Sequence, residues 1–138
     1  MRSIAQEADF IHAMTVLRRF TNLDQWKFLG ELANGPEGDH FTSKVNAYCN
    51  RITTMPVTYD TDGQGDDAIC HLHYFRGNMD WYIIEKDCEP EQHQAFGWCD
   101  LGMGCPELGY VSIKELTDNN VELDLYWEPK TLREVKAL

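Results

Sequence analysis

The sequence lacks any run of about 18 apolar residues, so nothing in it reads as a helical membrane span. Its opening, MRSIAQEADF, sets no apolar core behind its arginine, so no export signal is indicated and the expected setting is the cytoplasm. Cysteine is sparse and unpaired. Cys49, Cys70, Cys88, Cys99 and Cys105 are an odd number without a CxxC pair, which argues against a disulfide framework and a dithiol redox motif. The signatures GxSxG, HExxH, the P-loop and GxGxxG are missing as well, so no catalytic residue and no cofactor are assigned. Internal repeats and low-complexity linkers are also lacking, and the chain reads as one domain over residues 1–138.

Positive charge is short where it matters most. The chain carries 12 lysines and arginines against 23 aspartates and glutamates, a net charge of −11. Residues 1–56 hold six of each sign, whereas residues 57–138 hold six basic and seventeen acidic side chains. Phosphates are repelled by such a surface, while a basic groove is drawn to it and meets it faster. Direct nucleic-acid binding is therefore not expected. A protein partner with a basic nucleic-acid-binding groove is.

What is present divides into two patterns. Over the neutral part, Ile4, Ala8, Ile11, Met14, Leu17 and Phe20 recur at helical spacing. Asn22 with Gln25 resembles a capping box, opening a second helix that Leu23, Trp26, Leu29 and Leu32 carry as far as Gly35 and Pro36. Phe41, Val45, Tyr48 and Ile52 form a third stripe that must stop before Pro56. Beyond Pro56 the period becomes two, through VTYD, Ile69 to Phe75, a hairpin at Gly77-Asn78, the strand WYIIE, and Ala95 to Asp100. Leu108 to Val111 then reads as an edge strand or the lead into a short helix at SIKEL, Val121 to Tyr126 as a half-buried strand, and Thr131 to Leu138 as a closing helix. The expected fold is α+β, with N-terminal helices over residues 1–55 packed on a mainly antiparallel sheet over 56–138 and a short C-terminal helix.

Several groups of side chains bear on chemistry. Asp60, Asp62, Gln64 and Gly65 match the opening of a calcium loop, but His71 stands where the closing bidentate glutamate belongs, and the run reads as a solvated turn instead. His71 and His73, two apart on a strand, share a face and with Cys88, His93 or Cys99 would offer zinc ligands at a spacing that is not diagnostic. No metal site is assigned. Glu85 and Glu107 would suit an acid–base pair, but among seventeen acids pairing by chance is expected. Trp81, Tyr82, Trp98, Tyr110, Tyr126 and Trp127 are read mostly as core, with one aromatic row near the surface.

The segments DWYIIEKD, QAFGWCDLGMGCPELGYVSIKEL and VELDLYWEPKTLREV resemble the bacterial domain of unknown function 2958 over about the last seventy residues. The likeness rests on Trp81, Tyr82 and Glu85, on Phe96 and Gly97, on Glu107 to Tyr110 with Ser112, Glu115 and Leu116, and on Asp124 to Tyr126 with Glu128 and Pro129. It implies a defined β-rich unit and a setting on plasmids, integrative elements and phages. It brings no activity and no catalytic residues, and the front helices lie outside it.

Two functions follow as expectations. The first is a non-enzymatic inhibitor of a host defence complex, of anti-CRISPR or anti-restriction type, whose carboxylates mimic nucleic acid. Glu122 and Asp124, two apart on a strand, repeat about every 6.8 Å, comparable to the phosphates of one DNA strand. The partner surface nominated is Asp66, Asp67, Asp100, Glu107, Glu115, Glu122, Asp124 and Tyr126, and an edge strand or the helices offer a homodimer contact. The second is a small metal-dependent hydrolase or nucleic-acid-modifying enzyme with Asp60, Asp62, Asp66 and Asp67 on a divalent ion.

Overall fold

A computed structural model describes residues 2–138. Three helices come first, α1 (Ile4–Leu17), α2 (Leu23–Ala33) and α3 (Gly38–Thr54). Their boundaries follow from local chemistry. Ser3 Oγ accepts the Gln6 N–H at 3.1 Å while Gln6 Oε1 accepts the Ser3 N–H at 2.8 Å, a closed capping box. Asn22 Oδ1 accepts the Gln25 N–H at 2.7 Å to start α2. α3 ends because Met55, just ahead of Pro56, is extended at φ −70° and ψ 157°.

The rest of the chain runs β1 (Ile69–Cys70), β2 (Leu72–Arg76), β3 (Met79–Glu85), β4 (Ala95–Asp100), β5 (Glu107–Val111), α4 (Ile113–Asp118), β6 (Glu122–Leu123), β7 (Lys130–Thr131) and α5 (Leu132–Lys136). Five strands form an antiparallel sheet in the order β5-β4-β3-β2-β6, and β1 pairs with β7 in a separate ribbon. The fold is thus α+β, as the change of period implies. At the β2–β3 hairpin Gly77 has φ 58° while Asn78 does not turn positive, the arrangement of a II′ turn.

One side of the sheet, with Leu72, Tyr74, Ile83 and Leu123, shares a core with Leu17, Val45, Tyr48 and Ile52 from the helices. A smaller cluster of Cys70, Ile84, Trp127, Leu132 and Val135 covers part of the other side, with Tyr82 and Trp98 partly buried at its margin. Gly97 lets β3 and β4 approach where their register shifts between Ile83 and Glu85. A Cβ there would lie 2.1 Å from the Tyr82 carbonyl oxygen.

Three local expectations are corrected. In α1 the buried stripe is Phe10, Ala13, Met14 and Leu17, leaving Ile4 and Ile11 93% and 57% exposed. Both stripes have helical spacing, and the one carrying Phe10 reaches the core. The segment VTYD forms no strand. Val57 makes a single parallel bridge to Lys86, and the chain then wraps around Glu85, whose carboxylate accepts the Tyr59 N–H at 2.9 Å and the Thr61 N–H at 2.8 Å. The strand expected over Val121 to Tyr126 is only Glu122–Leu123, and past its end Asp124 turns its side chain back to His73.

Candidate functional site

Alternation along the strands sends His73, Phe75, Asp80, Tyr82, Trp98, Asp100 and Glu122 to the face away from α1–α3. Register then lines them up. Asp100 pairs with Asp80, Asp80 with Phe75 and Phe75 with Glu122, so one row crosses β4, β3, β2 and β6. At about 4.8 Å per strand, the row spans roughly 14 Å. A neighbouring row runs Leu108, Trp98, Tyr82 and His73, and continues to Asp124 through its N–H on the His73 carbonyl at 2.8 Å.

His73 joins the two rows. Its Nε2 lies 2.7 Å from Asp80 Oδ1 and its Nδ1 2.9 Å from Asp124 Oδ2. Two such hydrogen bonds need two protons, carried either both by the ring or one by the ring and one by a carboxyl. The imidazole is flat against Tyr82, with ring centroids 4.6 Å apart and planes at 10°, and Trp127 leans on both rings. Burial, then the charges of Asp80 and Asp100, then Cys70 and Asp124, push the Tyr82 phenol up to about 12. Tyr48 and Arg51 of α3 fix the segment after β6 from behind, donating to the carbonyls of Asp124 at 2.7 Å and Trp127 at 3.0 Å.

Among the described residues, no lysine or arginine forms an ion pair with Asp80, Asp100, Glu122 or Asp124. The two lysines at the margin are turned to aromatic rings, Lys130 4.7 Å from the Trp127 centroid and Lys136 4.8 Å from that of Trp98. Among the described residues the two ends of the row, Asp100 and Glu122, therefore have no ion-pair partner, while Asp80 is held by His73 beside the aromatic rings.

The structure brings together Asp100, Glu122 and Asp124, keeps Tyr126 beside them through its N–H on Asp124 Oδ1 at 2.9 Å, and separates the other nominated residues. Asp66 and Asp67 belong to a Gly65–Asp67 3₁₀ turn and pair with Lys136 at 2.8 Å and Arg133 at 2.5 Å of α5. The Lys136 hydrogen bond holds the Asp66 carboxyl below its ordinary range. Glu107 and Glu115 line a separate cleft of about 530 Å³ on the helix side, with Trp81 and Cys99. Tyr126 is 71% exposed, its ring under Lys44 Nζ at 4.6 Å. Glu122 and Asp124 do not form a charge ladder along one strand; Glu122 belongs to the cross-strand row and Asp124 to the histidine.

Within the acidic loop, Asp60 is engaged locally and Asp66 and Asp67 by α5. Asp60 Oδ2 accepts the Val57 N–H at 3.0 Å, and among the described residues no three His, Cys, Asp or Glu side chains gather as metal ligands. Sequence reasoning missed Asp80 and the pairing role of His73. The signal for Asp80 was available: it stands two residues before Tyr82 and so shares its face.

A family model described as "Protein of unknown function (DUF2958)" matches residues 51–132, a stretch that contains the whole acidic row and excludes α1 and α2. No curated protein and no solved structure matches.

Proposed function

The chain belongs to the DUF2958 family, and we propose that it is a binding protein of a mobile genetic element that lays the acidic face of its sheet in the basic nucleic-acid groove of a host defence complex in the cytoplasm and so obstructs it. The observation that carries this reading is the row Asp100–Asp80–Phe75–Glu122, in which two carboxylates stand directly opposite each other on adjacent strands. Like charges so placed cost a fold roughly 0.2–1 kcal/mol. His73 offsets part of that at Asp80, and among the described residues no cation pairs with Asp100 or Glu122. Lysines and arginines of a nucleic-acid groove supply what the row lacks, and they speed the encounter and fix the register. The same carboxylates repel nucleic acid itself.

The test is an obstruction assay with a purified CRISPR effector or restriction complex. The chain is expected to displace target DNA from the complex. The double substitution Asp100→Lys with Glu122→Lys, which reverses both unpaired ends of the row, is expected to weaken displacement at least about tenfold. Equal displacement by the double variant rejects the row as the contact surface.

A further inference from the structure

Beside the acidic row, between α2 and β6, lies a groove of about 840 Å³ lined by Phe28, Leu32, Phe41, Phe75, Leu125 and Tyr126. Phe28 is 58% exposed on the outer face of α2, a large apolar side chain held in water. The rim is acidic, formed by Asp24, Glu122 and Asp124, and among the described residues none of the three forms an ion pair with lysine or arginine. Lys44 sits over Tyr126, its Nζ 4.6 Å from the ring centroid.

The backbone at the groove floor is already satisfied. Gln25 Nε2 donates to the Leu123 carbonyl at 2.8 Å and Gln25 Oε1 accepts the Leu123 N–H at 3.0 Å, so one side-chain amide mimics a neighbouring strand. Asn22 donates to the Val121 carbonyl at 3.1 Å. With that edge closed, an added strand finds no main-chain partners, and an occupant must dock by side chains alone.

We propose that this groove receives an amphipathic helix of a protein partner, with apolar residues at i, i+3 or i+4 and i+7 in the groove and lysines or arginines along its flanks against Asp24 and Glu122. The inference rests on the acidic-face reading and extends it, since Glu122 belongs to both surfaces. α2, which supplies Phe28, Leu32 and Asp24, lies outside the family match at residues 51–132. The groove therefore combines residues inside the family match with residues of α2 outside it.

The test uses the full chain and a fluorescent synthetic helix of about 18 residues, leucines on one face and lysines beside them. Binding is read by anisotropy against two control peptides, one with glutamate for lysine and one broken by a central proline. Only the leucine–lysine helix is expected to bind. Phe28→Ser and Asp24→Lys are each expected to weaken it about tenfold, with circular dichroism unchanged because both side chains are exposed. Equal binding of the proline-broken or glutamate peptide, no binding of the leucine–lysine helix, or no loss in the two variants overturns the groove. The two readings fail separately, because Asp100→Lys tests the row without touching the groove and Phe28→Ser tests the groove without touching the row.

Discussion

On the helix side of the sheet, Leu72, Tyr74, Ile83 and Leu123 are almost wholly buried, and the one polar atom among their side chains, the Tyr74 hydroxyl, ends on the Phe20 carbonyl at 2.5 Å. On the other side, the residues that alternate with them along the same strands are His73, Asp80, Tyr82 and Glu122. They keep partial exposure, hydrogen-bond one another where they can, and leave Glu122 without a partner among the described residues. Adjacent positions in one strand thus differ in what they are for. The buried side holds the fold together through apolar area and one completed hydrogen bond, and the open side carries a charge arrangement that the fold tolerates without needing it.

Substitutions on the two sides break or sharpen that contrast. The largest effect is expected at the sheet's own backbone. Gly97→Ala drives a methyl into the Tyr82 carbonyl and is expected to cost about 4 kcal/mol or to prevent folding, as read by urea denaturation. Ile83→Ala on the buried side follows, with a loss of about 3 kcal/mol. Next comes His73→Ala, which leaves Asp80 and Asp124 facing each other without the ring between them. About 2 kcal/mol is expected, and a loss as large as that of Ile83→Ala would place the histidine in the structural rather than the open layer. Glu122→Lys is expected to close the series within about 0.5 kcal/mol of the parent.

How much of this the sequence discloses depends on whether an interaction is local. The cap at Asn22, the stop at Pro56 and the hairpin at Gly77-Asn78 are readable, because each involves residues at most four apart. The buried side of α1 is not, since two apolar stripes satisfy the same period and only tertiary packing selects Phe10 over Ile11. The acidic row also needs long-range information: Asp80 and Asp100 meet through the β3–β4 register, and Glu122 joins them through β2. Asp66 and Asp67 read as free carboxylates until α5 brings Arg133 and Lys136 to them from the far end of the chain. Glu107 and Glu115 count in the same net charge, yet they face the helix-side cleft.

The thiols give a smaller check on the same layering. Burial pushes Cys70 up to about 12 and, with Glu107, Cys99 up to about 11, while Cys88 and Cys105 are exposed. A thiol reagent at pH 8 is therefore expected to modify Cys88 and Cys105 quickly and Cys70 only on unfolding. Because the raised values favour the neutral folded form, the stability they contribute is complete below the ordinary thiol range near 9 and is lost as pH rises towards 11–12. Calcium, magnesium or zinc is expected to move the melting temperature least, by less than about 1 °C, because Asp60, Asp66 and Asp67 are engaged within the protein.

In the proposed function, the open row of carboxylates, crossing four strands, is the surface that a basic partner reads. The dissociation constant for a purified defence complex across a salt series, for the parent chain and for the Asp100→Lys, Glu122→Lys double variant, tests this. Parent binding is expected to weaken steeply with salt and variant binding to be weak and nearly salt-independent. Superimposable curves for the two proteins contradict it.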